Sequence, residues 1–121
     1  MGEHAGVTNI KRNADNQNRY RDVNERVMET NARFELDGEW HRTVEVLCEC
    51  GRADCAERLE VTREIYERLR SDPQTFVLTP GHEEGAVETV VKRTPGYVIA
   101  RNFGEAARIA VDGDPRRALP G

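Results

Sequence analysis

The N-terminal part of the chain has the hydrophobic pattern of one long helix. Apolar side chains recur there at intervals of seven residues, which is the spacing of a coiled-coil heptad. One seam position holds Tyr20, Val27 and Phe34, and the other holds Val23 and Thr30. The pattern predicts a helix over residues 13–36. Polar residues interrupt its seam, which is expected to pack on its own domain more readily than on a second chain.

Beyond this helix the pattern changes to short elements. Val44, Val46 and Cys48 occupy alternate positions, which predicts a strand that runs into the first cysteine. Further strands are predicted over residues 76–79, 86–92 and 97–100, the last two as a hairpin. Short helices are predicted over residues 62–70, beginning at Thr62, and over residues 104–110. The sequence therefore predicts an α+β fold, with a long N-terminal helix followed by a small mixed domain.

The same pattern divides the chain into four parts. Residues 1–12 are polar and without periodicity, so a disordered N-terminus is predicted before the helix. Asp37-Gly38 marks a turn after the helix, and residues 44–111 are expected to form the compact α+β domain. Residues 112–121 hold two Pro and two Gly, so a loose C-terminal tail is expected.

Composition indicates a core that needs reinforcement. Of the 121 residues, 37% are hydrophobic and 33% are charged, with only three Phe, three Tyr and one Trp. The net charge of -4 disfavours binding to nucleic acid or to an anionic membrane through net charge alone. No apolar run is long enough to span a membrane, and the first residues lack a signal peptide. We therefore expect a cytoplasmic protein without a membrane partner.

A basic stripe lies beside the helix seam. It consists of Arg12, Arg19, Arg26 and Arg33. Acidic residues precede the last three arginines by four positions, an order that favours weak pairs within the helix. The stripe is therefore expected to be mainly a solvated face. The alternative is a partner surface, in which Arg19, Arg26 and Arg33 act with Tyr20, Val27 and Phe34 to bind a protein.

The chemical feature that stands out is a cluster of three cysteines. Cys48, Cys50 and Cys55 lie within eight residues, and the chain has no other cysteine. Thiolates are soft ligands, and Zn²⁺ in structural sites takes four donors in a tetrahedron. His82 is the best candidate for the fourth donor because it follows a predicted strand on a Pro-Gly turn, where a loop can reach back. His41 and His4 compete with it.

The predicted site is therefore Cys₃His zinc, formed by Cys48, Cys50, Cys55 and His82. Gly51 suits a tight turn after Cys50 because glycine tolerates positive φ. The spacing C-x-C-x₄-C with one distant His differs from the paired CxxC of common zinc ribbons. Redox-active thiols, another metal or an iron–sulfur centre, and ordinary thiols remain alternatives.

The expected function follows from this site. The chain has no GxxxxGK[ST], GxGxxG or GxSxG motif, so a binding protein is favoured over an enzyme. We expect a small cytoplasmic structural-zinc protein that acts as a protein-interaction or regulatory module. The alternatives are a thiol redox sensor that uses the three cysteines and a small enzyme with an open zinc or Cys/His centre.

Several segments also resemble a family of short uncharacterised actinobacterial proteins. The residues that carry the resemblance are 21–27, Cys48-Glu49-Cys50 with Cys55, 62–70, 76–82 with its Pro-Gly-His turn, 97–99, and Glu105-Ala106. The resemblance spans most of the chain. It implies a cytoplasmic bacterial protein and carries no activity with it.

Overall fold

The computed structural model describes residues 9–34 and 42–116, and within them it confirms the α+β fold. The elements in chain order are α1 (Ile10–Phe34), β1 (Thr43–Leu47), β2 (Arg58–Thr62), α2 (Arg63–Arg70), β3 (Thr75–Leu78), β4 (Glu88–Arg93), β5 (Val98–Asn102) and α3 (Gly104–Asp112). The expectations for the N-terminus before residue 9, for the Asp37-Gly38 turn and for the last five residues lie outside the described residues. Residues 10–12, which were predicted to precede the helix as part of a disordered segment, instead form the start of α1.

The strands form two small antiparallel sheets. Strands β1 and β2 form a hairpin, and the second sheet has the order β3-β5-β4 with a bulge between Val90 and Lys92. Strand β2 was not predicted, although Leu59 and Val61 are buried while Arg58 and Glu60 are exposed. Its alternation was readable in the sequence, but it covers only five residues.

Helix α1 is a central element whose buried face is mostly polar. That face carries Ala14, Gln17, Arg21, Asn24 and Met28, all at most 3% exposed. It lies next to the predicted seam, since Val23 is exposed and Tyr20 and Val27 are only half-buried. The predicted seam is wrong because Gln17, Arg21 and Asn24 are buried through hydrogen bonds instead of apolar contacts.

Arg21 shows how such a residue is accommodated in the core. It is 0% exposed, and its guanidinium donates to the carbonyls of Pro73 at 3.0 Å and Ala110 at 2.9 Å. The same group lies 5.1 Å from the centre of the Phe76 ring. Burial of the charge is tolerated because the guanidinium is hydrogen-bonded and stacked on the ring. The two hydrogen bonds join α1 to the turn between α2 and β3 and to α3.

Helix α2 begins where the sequence predicted. The Thr62 hydroxyl accepts a hydrogen bond from the Ile65 backbone N–H at 3.1 Å, which satisfies one of the free donors of the first turn. Tyr66 and Leu69 are buried on the inner face of the helix. The capping residue thus fixes the place where β2 passes directly into α2.

Within the expected loose tail of residues 112–121, the described part beyond α3 is held by ion pairs. Asp114 is 6% exposed and forms an ion pair with the buried Arg70. The Arg116 guanidinium donates from Nη2 to Glu25 at 2.7 Å and from Nη1 to Glu67 at 2.9 Å. These contacts hold residues 114–116 against α1 and α2.

None of the helices in the described ranges is long and apolar enough to cross a membrane.

Candidate metal centre

The three cysteines lie in the loop that connects β1 to β2. The Cys48 backbone N–H continues the hairpin ladder by donating to the Glu57 carbonyl at 3.0 Å. The next N–H, that of Glu49, donates to the Val77 carbonyl of β3 at 2.8 Å. The loop therefore connects the two sheets through its backbone at the point where the first cysteine is placed.

His82 is brought to the cysteines by a tight turn after β3. Its backbone N–H donates to the Thr79 carbonyl at 2.9 Å, and the two central residues of this turn are Pro80 and Gly81. Gly81 has a φ of 91°, so the sequence Pro-Gly meets the requirement of a type II turn for positive φ at its third position. This turn directs His82 back toward the strand end, as the sequence predicted.

The structure brings all four predicted residues together. The three sulfurs and a ring nitrogen of His82 all lie within 4.8 Å of one another. The Nδ1 atom of His82 is 3.6 Å from the Sγ atoms of both Cys48 and Cys55. His4 and His41, the competing donors, lie outside the described residues.

These distances fit a tetrahedral metal ion. With Zn–S bonds of about 2.3 Å and Zn–N bonds of about 2.1 Å, the S···N edge of a tetrahedron is about 3.6 Å long. The observed separation of His82 Nδ1 from two sulfurs therefore matches the edge length that zinc requires. The group is close enough to hold a metal ion, and three sulfurs with one imidazole are donors that zinc prefers.

Hydrogen bonds to the Cys48 sulfur favour its thiolate form. A hydrogen bond from the Cys50 thiol lowers the pKa of Cys48 to about 4, and burial opposes this effect. The Thr79 backbone N–H also donates to the Cys48 sulfur, at 3.1 Å. The same thiol pair raises the pKa of Cys50, because that sulfur holds the shared proton. A metal ion would replace this proton as the partner of the sulfurs.

Gly51 is needed for a reason other than the one expected from sequence. Its φ is not positive, so no left-handed turn requires it. Instead, a Cβ atom at this position would lie 2.0 Å from the side chain of Asn13 on α1. The Asn16 amide also donates to the Gly51 carbonyl at 2.9 Å. Glycine therefore allows the N-terminal helix to approach the cysteine loop closely.

Helix α1 makes two further contacts near the cysteines, one with the loop and one with the last residue of β1. The Tyr20 hydroxyl lies 2.8 Å from the Arg52 carbonyl and 3.0 Å from the Ala53 carbonyl. Asn24 donates to the Leu47 carbonyl at 2.9 Å and accepts from the Leu47 N–H at 2.8 Å. Helix α1 thus supports the part of the loop that lies between Cys50 and Cys55.

Glu49 is a site residue that sequence reasoning missed. It is completely buried, and its carboxylate accepts from Asn24 at 2.8 Å, the Tyr66 hydroxyl at 2.6 Å and the Val77 N–H at 3.1 Å. Burial raises the pKa of this carboxyl group. One side chain between Cys48 and Cys50 therefore joins α1, α2 and β3. The signal available in the sequence was only its place between two cysteines.

The chain stands apart in comparisons with known proteins. No protein-family model matches it, and neither a curated protein nor a solved structure is significantly similar to it. The Cys/His cluster is therefore the feature from which function is inferred.

Proposed function

We propose that this chain is a structural-zinc protein in which Cys48, Cys50, Cys55 and His82 bind one Zn²⁺. The observation that carries the proposal is the convergence of three sulfurs and one imidazole nitrogen within 4.8 Å. These donors come from two separate loops, one between β1 and β2 and one after β3. Bound zinc would hold these loops together and contribute folding free energy to a small core.

The donor set supports a structural site over a catalytic one. Catalytic zinc keeps one position for water or substrate, with three protein ligands. Here four protein donors are present, and Cys48 and Cys50 are at most 1% exposed. A tetrahedron formed by these four residues leaves no position for a reacting water. The site therefore favours a binding protein over an enzyme.

The experiment is native mass spectrometry of protein purified without added metal, with and without a chelator. We expect one zinc per chain in the wild type and weaker binding in His82→Ala. His41→Ala is the matched control, since His41 is the competing donor, and it should keep its zinc. Metal-free wild type under reducing conditions, or loss of zinc only in His41→Ala, would refute the Cys48/Cys50/Cys55/His82 site.

We further propose that the zinc-stabilised domain binds an acidic protein through the outer face of α1. Val23 is 39% exposed and, with Arg26, Val27 and Thr30, lines a shallow depression on this face. Arg19 and Arg26 are also exposed, so an apolar patch has positive charge beside it. This combination suits a partner surface that carries apolar and acidic side chains.

A photo-crosslinking residue at position 23 tests this interaction in the native cell. We expect a discrete crosslinked protein that disappears when Arg26→Glu is added. The same residue at Thr89, which is exposed on β4, is the control for accessibility. Equal crosslinking from both positions, or insensitivity to Arg26→Glu, would contradict binding through α1.

A further inference from the structure

Solvent reaches the three sulfurs of the cluster unequally. Cys48 and Cys50 are 1% and 0% exposed, whereas Cys55 is half-buried. The residues on either side of Cys55 in the loop, from Arg52 to Asp54 and from Ala56 to Glu57, are exposed. Because oxidation of cysteine depends on access as well as on thiolate character, a small oxidant would meet Cys55 first.

Cys55 also lies in the part of the loop with the weaker backbone constraints. Its N–H donates to the Arg52 carbonyl at 3.3 Å. Cys48, in contrast, extends the β1–β2 ladder at 3.0 Å, and its sulfur accepts from the Thr79 N–H at 3.1 Å. A shift of Cys55 would therefore change the loop and leave the ladder of the hairpin in place.

Cys50 is the partner sulfur for Cys55. The two sulfurs lie within 4.8 Å of each other, whereas the Cys48 sulfur is held by the Thr79 N–H at 3.1 Å. A disulfide has an S–S length of about 2.0 Å, so the two sulfurs need to approach by less than about 3 Å. Both cysteines belong to the same loop, so this approach requires no rearrangement of the sheets.

We propose that Cys55 is a site of reversible oxidation by hydroperoxides, which joins it to Cys50 and releases the bound metal. This inference rests on the zinc site proposed above and adds a means of regulating it. After oxidation, only Cys48 and His82 remain as donors. Two of the four ligands are too few for a structural zinc site, so the ion dissociates.

The reaction balances with hydrogen peroxide as the oxidant. The Cys55 thiolate attacks one peroxide oxygen, the O–O bond breaks, and Cys55 becomes a sulfenic acid as hydroxide leaves. The Cys50 thiolate then attacks the Cys55 sulfur, the S–S bond forms, the S–O bond breaks, and a second hydroxide leaves. The two sulfurs supply the two electrons that the peroxide takes up, and two protons from solvent convert the hydroxides to water.

The test uses zinc-loaded wild-type protein, hydrogen peroxide and a chromogenic zinc chelator. We expect stoichiometric zinc release, a mass loss of about 2 Da from two thiol hydrogens, and a Cys50–Cys55 disulfide in the peptide map. Dithiothreitol with added zinc should restore the starting state. Dimedone present during a short exposure should label Cys55 before the other two cysteines.

The variant Cys50→Ser separates the two steps. It removes the partner sulfur, so dimedone-labelled Cys55 should accumulate without a disulfide to Cys48. If this variant does not fold, the order of dimedone labelling in the wild type still decides the question. First labelling of Cys48 or Cys50, or a disulfide that excludes Cys55, would overturn the inference.

The outcomes also separate this inference from the zinc proposal. Protein that contains zinc as purified but retains it under peroxide keeps the zinc proposal and overturns the switch. Protein that contains no zinc refutes the zinc proposal, and the metal-release part of the inference fails with it.

Discussion

Single residues at the contact between α1 and the cysteine loop decide how closely the two pack. At Gly51, an added methyl group would meet the Asn13 amide at 2.0 Å, and that amide has a buried oxygen without a hydrogen-bond partner. The amide must therefore move before any side chain fits. This contact explains the glycine without any appeal to unusual backbone geometry.

We expect Gly51→Ala to lower the free energy of unfolding by about 1–2 kcal/mol, because the close packing of α1 on the loop is disturbed. Urea unfolding of the zinc-loaded protein measures the change. Gly85→Ala is the control, since its Cβ would meet nothing within 4 Å and its φ is not positive. The double variant Gly51→Ala/Asn13→Ala should recover part of the loss, and a double variant no better than the single one would contradict the explanation.

The buried carboxyl group of Glu88 is expected to make the stability of the domain depend on pH. It is 4% exposed, and its carboxylate accepts from Gln17 at 2.7 Å and from the Glu84 N–H at 2.8 Å. Burial raises the pKa of Glu88 to about 7 from its ordinary value of 4.5, and the hydrogen bonds oppose the rise. The folded state therefore favours the protonated form.

The stabilising contribution of Glu88 protonation is complete below pH 4.5 and is lost as the pH rises through about 7. Between about pH 5 and about pH 8, the wild type should lose up to about 3 kcal/mol relative to Glu88→Gln, which does not titrate. Urea unfolding of both zinc-loaded proteins across this range gives the difference. Parallel pH profiles for the two proteins would contradict the raised pKa, and Glu105→Gln, at an exposed position, is the matched control substitution.

At the scale of elements, α1 belongs to the core of the domain. It packs against β1 and α3, and it carries Arg21 and Asn24 on a fully buried face. Substitutions at Arg21 and Arg19 can test whether α1 is part of the core. The two arginines lie two residues apart on the same helix, and only Arg19 is exposed.

Arg21→Ala should lower the free energy of unfolding by about 3–5 kcal/mol. It leaves a cavity against Phe76 and removes the donors to the Pro73 and Ala110 carbonyls. Arg19→Ala should change stability by less than about 0.5 kcal/mol. Denaturant unfolding compares them. Similar small losses for both variants would show that α1 is a peripheral helix.

The elements differ in how well the sequence predicted them. The strand before Cys48 had apolar alternation, the helix at Thr62 had a capping residue, and the strand over 76–79 had a continuous apolar run. The structure contains all three. The buried face of α1 could not be predicted from hydrophobicity, because Gln17, Arg21 and Asn24 are buried through hydrogen bonds to distant parts of the chain.

The Cys/His cluster was easier to predict from the sequence than the contacts that hold it in place. Cys48, Cys50 and Cys55 are close in sequence, and Pro80-Gly81 is a recognisable turn before His82. The contacts that hold them have no local signal: Asn16 with Gly51 is a pair 35 residues apart, and Val77 with Glu49 is a pair 28 residues apart. Such pairs follow from the tertiary fold alone.

Across the domain, ion pairs join the segment after α3 to the core. Arg70 is completely buried between Glu25 and Asp114, while the side chain of Arg116 is 35% exposed beside Glu25 and Glu67. The network thereby connects α1, α2 and the segment after α3. The buried pair and the partly exposed pair should differ in their effect on stability.

Asp114→Ala should lower the free energy of unfolding by about 2–4 kcal/mol, because it leaves the Arg70 charge with one partner in the interior. Arg116→Ala should cost less than about 1 kcal/mol, since solvent screens that pair and Glu25 keeps Arg70. Thermal and urea unfolding should rank the two variants in this order. A larger loss for Arg116→Ala would contradict the ranking by burial.

In the proposed site, one zinc ion joins the β1–β2 loop to the turn after β3. X-ray absorption at the zinc K edge identifies its donor atoms in protein purified without added metal. We predict three sulfurs at about 2.3 Å and one nitrogen at about 2.0–2.1 Å. Fewer than three sulfurs, an oxygen from water in the fourth position, or no ordered sulfur shell would contradict the closed Cys₃His site.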